Sequence, residues 1–187
     1  NLFYWSNVIH DVWHGYGFDE VAGNFQENNY GNGGVGGDSV NSEGQDGSGT
    51  CNANFSTPTD GGNPTMQMYV CSLQDGSLDN GVIAHEYGHG ISNRLTGGPG
   101  TTSCLFNSEQ MGEGWSDWIG LVMTMEPGDA ATDARGIGTF LFDQPPNGPG
   151  IRPAPYSTDL GVNSYTYANI GSLAVPHGVG FVWATML

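Results

Sequence analysis

The sequence predicts an α+β fold, with strands and loops in its first part and helices after them. Three observations carry this. Residues 15–62 are dominated by Gly, Asn, Asp and Ser. A short segment alternating at period 2 follows them, and two longer segments with helical periodicity and clear stop signals come next. Five Trp, 8 Tyr and 8 Phe in 187 residues supply the apolar bulk for a real core and argue against disorder.

Taken in order, residues 2–13 place Phe3, Val8, Ile9, Val12 and Trp13 as a short amphipathic helix ending at Gly15. The Gly-rich stretch offers strand hints only at residues 38–40 and around Phe55. Residues 65–73, with Met66, Met68 and Val70 alternating, read as a strand. The helix over 81–95 has Asp79 or Asn80 as its N-cap and Gly97-Gly98-Pro99 as its stop. A second helix, over 108–125, closes at Pro127-Gly128. A third helical stretch is expected over 130–142, then an extended Pro-rich run over 144–155, then a fourth helix from Ser172. The chain is thus expected as a strand- and loop-rich part (1–80), a helix pair (81–128) and a mainly helical part (129–187). It opens without a basic or apolar leader and stops inside the apolar run Gly180 to Leu187 without a cap, as an internal segment of a longer polypeptide would.

Charge narrows the partners. Three Arg (Arg94, Arg135, Arg152) and no Lys stand against 19 acids, for a net charge of -16. Such a surface repels phosphate backbones and anionic lipid headgroups, so neither nucleic acid nor a membrane surface is expected as a partner. Cys51 and Cys71 flank a segment containing Pro58 and Gly61-Gly62, and either staple a long hairpin or remain two buried thiols. Cys104 is then the odd one.

The chemistry gathers in the helix pair. In His85-Glu86-Tyr87-Gly88-His89 two imidazoles four residues apart lie on one helical face, where both reach a single metal ion. Glu86 projects beside that ion, placed to take a proton from bound water. Zinc needs a third protein ligand and an open position, and Glu113 near the start of the next helix offers the ligand. Asp117, one turn beyond Glu113, can accept the N–H of His85 and fix its tautomer.

Residues 85–95 (HEYGHGISNRL) followed by 112–118 (GEGWSDW) resemble the fungalysin family of secreted zinc metalloendopeptidases. The resemblance continues at 1–11, 45–55 and 175–187 and so covers nearly the whole chain. It implies a thermolysin-like zincin fold with the whole of 1–187 in one metallopeptidase catalytic region, one catalytic zinc held by His85, His89 and Glu113, and Glu86 as general base. Asp117 then orients a ligand, and His177 donates a hydrogen bond to the tetrahedral intermediate. Thermolysin-like enzymes carry an Asp shortly before that histidine; Gly171-Ser172-Leu173-Ala174 has no acid here. Asn52-Ala53-Asn54-Phe55 matches the edge strand that pairs with substrate backbone, giving Asn52 and Ala53 as substrate-binding residues. Arg152 either holds a substrate carbonyl or pairs with one of the acids. The resemblance further implies protein or peptide substrates, a large apolar residue after the cut, an extracellular location, a monomer, and a pro-region outside this chain.

Two patterns are discounted. Residues 33–41 match one copy of a calcium β-roll nonapeptide, and a roll needs several. Asp38, Glu43 and Asp46 are candidate ligands for a structural calcium, although a solvated loop is the preferred reading. His10 and His14 share the spacing of a metal pair but lack a third ligand, and a His10–Asp11 contact supporting the cleft is preferred. The rival to an enzyme is an acidic, Gly-rich calcium-binding scaffold, for which Glu86 would have no use.

Overall fold

In a computed structural model, which describes residues 1–108 and 111–187, helix α1 (Leu2–Gly15) buries Ile9 and packs Trp13 on Trp118 of a later helix, ring centroids 6.0 Å apart. Strands β1 (Asn41–Gly44), β2 (Ala53–Ser56) and β3 (Thr65–Met68) make one sheet in the order β1-β3-β2. The central strand is the one whose alternate residues, Met66 and Met68, are wholly buried. β2 lies antiparallel to it at the edge, and β1 parallel on the other side. The strand expected at 38–40 forms at 41–44 instead, because Asp38 is drawn into the interior by Arg94. The run expected over 65–73 breaks at Tyr69: β4 (Val70–Cys71) turns back through Ser72, in the left-handed region at φ 57°, onto β5 (Gln74–Asp75).

Cys51 and Cys71 form a disulfide that ties the segment before β2 to β4, which settles the choice between staple and free thiols. Cys104 is free and exposed. With the bridged positions separated by 20 in sequence, loop-closure entropy gives the bridge a contribution of about 3 kcal/mol. Denaturant unfolding of a Cys51→Ser, Cys71→Ser variant is therefore expected to show a loss of that size, with a somewhat steeper slope because the unfolded chain expands once the crosslink is gone. A loss below half of it would show that the edge strand is held by its packing alone.

Helix α2 (Asn80–Gly97) is capped by Asp79, whose carboxylate accepts the Val82 N–H at 3.1 Å, and ends at Gly98 with φ 81°. It is buried almost all round, with Ile83 and Ala84 fully enclosed. Helix α3 (Gly112–Met123) begins later than expected; Glu109 and Gln110, in the segment assigned to it, lie outside the described residues. α2 and α3 approach backbone to backbone through glycine. A Cβ on Gly88 would sit 3.0 Å from Ser116 Cα, and one on Gly120 3.0 Å from Gly81 O. This close crossing carries the start of α3 to the middle of α2.

The helix expected over 130–142 does not form, and the C-terminal part is not mainly helical. Gly138 takes φ 74°, Asp133 folds back on Ala130 N–H at 2.8 Å, and residues here make the isolated bridges Arg135–Tyr156 and Ile137–Gly150. A helical hydrophobic spacing was present, but the glycines and the side-chain bond to the backbone favour turns. Only short 3-10 segments, Phe140–Phe142 and Tyr167–Ser172, precede α4 (His177–Met186), which starts five residues later than Ser172. α4 drives Phe181 and Val182 into a second apolar cluster with Ile137 and Tyr156. Among the described residues, no helix is long and apolar enough to cross a membrane.

Candidate metal centre

The glycine-mediated crossing sets three donors around one point. His85 and His89 stand one turn apart on α2 with their Nε2 atoms 3.1 Å apart. From α3, Glu113 brings Oε2 to 3.3 Å from His85 Nε2 and Oε1 to 3.7 Å from His89 Nε2. All the ligand atoms lie within 4.8 Å of one another. Two imidazoles and one carboxylate converging this closely, with space on one side, fit a catalytic zinc site. The space is a cleft of about 680 Å³ whose lining includes Asn52, Ala53, Phe55, Glu86, Ile151 and His177.

Behind the donors sits a fully buried carboxylate. Asp117 Oδ1 is 2.7 Å from His85 Nδ1, the contact anticipated from the one-turn spacing to Glu113. It accepts the Nδ1 proton, so that it is the Nε2 proton, facing the other donors, that His85 would give up to ligate. Arg152 forks onto Asp117, with Nε 2.6 Å from Oδ2 and Nη2 2.9 Å from Oδ1, and Nη2 also reaches Glu113 Oε2 at 3.1 Å. Arg152 thus sits in the ion pair that was one of its two expected roles, buried at the cleft wall. The Tyr156 hydroxyl donates to Asp117 Oδ2 as well.

Electrostatics follow from this crowding. Burial raises the Asp117 and Glu113 pKa values, but Arg152 and His85 for the first, and His85, His89 and His177 for the second, outweigh it and hold both well below the usual carboxylate range. Burial lowers that of His85, yet Asp117 and Glu113 lift it to about 10. Burial and the neighbouring His85 push His89 down to about 4. Two ionised carboxylates therefore draw positive charge to this spot, and a divalent cation bound there would take the place of the His85 proton. Glu86 is pushed up to about 7, first by burial, with the Glu113 and Asp117 charges adding and those of His85 and Arg152 opposing.

The remaining candidates are placed as follows. His177 is the first residue of α4; its side chain is 62% exposed, and its Nε2 lies 3.4 Å from Glu113 Oε1. Asn52 and Ala53 line the cleft at the start of the edge strand, as does Asn54, whose Nδ2 donates to the Tyr69 hydroxyl at 2.5 Å. The calcium candidates part company: Asp38 is buried against Arg94, Glu43 accepts from Gln67 at 2.9 Å, and Asp46 accepts from Ser48. Asp38 is therefore not available to calcium. His10 does contact Asp11, at 3.0 Å, but its ring turns to Gln26 and a separate hollow, not to the cleft. His14 instead meets Glu20 at 3.2 Å. Tyr156 went unnoticed in the sequence, where nothing near it hints at a partner on α3.

Comparison with known proteins agrees with this geometry. The sequence profile of the family described as Fungalysin metallopeptidase (M36) matches residues 1–187. The chain is 48% identical to the "Extracellular metalloproteinase MEP" of Fusarium vanettenii over 192 aligned positions. It is 46% identical to the "Extracellular metalloproteinase mep" of Aspergillus fumigatus and to the "Extracellular metalloproteinase 2" of Trichophyton rubrum. In each case the match takes in 100% of this chain and 30% of the relative.

Proposed function

The chain belongs to the fungalysin metallopeptidase family, and from that premise we propose that it carries the catalytic centre of an extracellular zinc endopeptidase with a thermolysin-like fold. The observation that carries the reading is the convergence of His85, His89 and Glu113 at the floor of a cleft, with Glu86 beside them. Zinc held by His85, His89 and Glu113 would supply the Lewis acidity that polarises a water molecule and the scissile carbonyl. Glu86 takes the proton of that water as it attacks and passes it to the leaving amine. His177, at the cleft mouth, donates a hydrogen bond to the oxygen on which negative charge develops. Asp117 keeps His85 in the tautomer that can ligate.

The edge of β2 beside Asn52 and Ala53 offers main-chain groups to an extended peptide. Val82, Leu141 and Ile151 supply an apolar wall, which favours a large apolar side chain after the cut. Residues 1–187 act as one catalytic region of a monomer made with a pro-region. Arg152, through Asp117 and Glu113, braces the donors and in the same place borders the bound peptide.

The test is bound metal by elemental mass spectrometry on the protein and on His89→Ala, with casein hydrolysis alongside. About one zinc per chain, lost in the variant together with hydrolysis, is expected. Calcium without zinc in a folded sample would refute the peptidase and favour a scaffold.

A further inference from the structure

We infer that Tyr156 is a positioning residue for the metal centre, holding Asp117 so that Asp117 can hold His85. The inference rests on the zinc reading above and goes beyond the ligands themselves. Asp117 is fully buried and meets four donors: His85 Nδ1 and Arg152 Nη2 on Oδ1, and Arg152 Nε and the Tyr156 hydroxyl on Oδ2. Arg152 is an imperfect guide for this carboxylate because the same Nη2 is also pulled toward Glu113 Oε2 at 3.1 Å.

Tyr156 has no such divided role. Its backbone is fixed by a reciprocal bridge to Arg135, Tyr156 N–H to Arg135 O at 2.7 Å and Arg135 N–H to Tyr156 O at 3.0 Å. Its ring packs on Phe181 of α4, centroids 5.2 Å apart. The hydroxyl is therefore held from two sides by elements outside α2 and α3. A buried phenol requires a polar partner, and this one finds it in Asp117. The chain of contacts runs from Tyr156 through Asp117 to His85, and outer partners of this kind set the aim and basicity of a metal-bound imidazole.

Removing only the hydroxyl leaves Asp117 Oδ2 bonded to Arg152 Nε, so no buried acceptor is orphaned and Tyr156→Phe should fold. The carboxylate is then free to follow Arg152 and loosen its grip on His85. The experiment compares the protein with Tyr156→Phe and with Tyr165→Phe, measuring zinc affinity by chelator competition and the visible absorption of the cobalt(II)-loaded protein. Tyr165 meets the same Phe181 edge-on, centroids 5.1 Å apart, and controls for loss of a hydroxyl from that cluster.

Tyr156→Phe is expected to bind zinc about tenfold more weakly and to shift the cobalt bands, while Tyr165→Phe does neither. In an Asp117→Asn background the effect of Tyr156→Phe should vanish. Unchanged affinity and spectrum in Tyr156→Phe, a drop in melting temperature without either, or an undiminished effect in the Asp117→Asn background would overturn the inference. Failure of the unmutated protein to bind either metal would instead bring down the zinc reading on which the inference stands.

Discussion

Glu86→Gln is expected to abolish hydrolysis while leaving zinc in place. The three donors, His85, His89 and Glu113, are untouched by the change, and Gln fills the same volume on the buried face of α2. What disappears is a carboxylate able to accept a proton. Glu86 is suited to that task because burial, with Glu113 and Asp117 nearby, pushes its pKa up to about 7, so that it takes a proton and releases it again near neutrality. Its side chain makes no hydrogen bond to the other described residues and borders the cleft, so no structural contact is lost with the charge. Loss of a positioned general base lowers turnover by about 10²–10⁴-fold, and the upper end is expected here because one carboxylate serves both proton transfers. Turnover and KM on a peptide substrate, with metal content from the same preparation, decide it. Turnover within tenfold of the unmutated protein, zinc being present, would remove Glu86 from the mechanism and leave water activation to some other group.

The metal centre was legible in sequence because its geometry is local. Two histidines one turn apart on one helix, and Glu113 with Asp117 one turn apart on the next, need only helical periodicity to be read. The crossing that joins them is foreshadowed by Gly88 and Gly120, where no side chain fits. The same kind of reading failed at 130–142, where apolar spacing resembled a helix but Arg135 and Ile137, either side of Gly136, sit in isolated bridges and Gly138 takes a left-handed φ of 74°. β1 escaped because Asn41, Glu43 and Gly44 are exposed, so no alternation marks it. Tyr156 and Arg94 were invisible as functional or structural anchors for a different reason: their partners lie 39 and 56 residues away along the chain. A polar residue's partner is set by tertiary contact, and a single sequence holds no trace of it.

Arg94 is where that blindness matters most, and Arg94→Ala is expected to be the most destabilising single change in the chain outside the apolar core. The side chain stands near the C-terminal end of α2 with no exposure at all. It donates to Pro58 O and Gly23 O at 2.8 Å each and to Asp38 Oδ2 at 3.2 and 3.3 Å, reaches Asp60 at 3.4 Å, and lies 5.0 Å above the Phe25 ring. One guanidinium thus ties the zinc helix to the loops before β1 and after β2. Removing it leaves Asp38 enclosed without its cation and two carbonyls without donors, a situation that costs about 3–5 kcal/mol. The dependence on pH distinguishes this cause from simple loss of packing. Burial raises the Asp38 pKa, with Gly61 and Gln26 N–H groups and Arg94 pulling the other way. Ionised Asp38 therefore weighs against the folded state as pH rises from its unfolded to its folded value, and more heavily once Arg94 is gone. Below that window Asp38 is protonated in both proteins, and the difference between them should shrink. Denaturant unfolding of the two proteins from neutral to acidic pH measures this directly. A deficit that stays constant as Asp38 protonates would assign the role of Arg94 to volume and its bonds to Pro58 and Gly23. A deficit that narrows would establish the Arg94–Asp38 pair as the electrostatic tie between the zinc helix and the wall of the cleft.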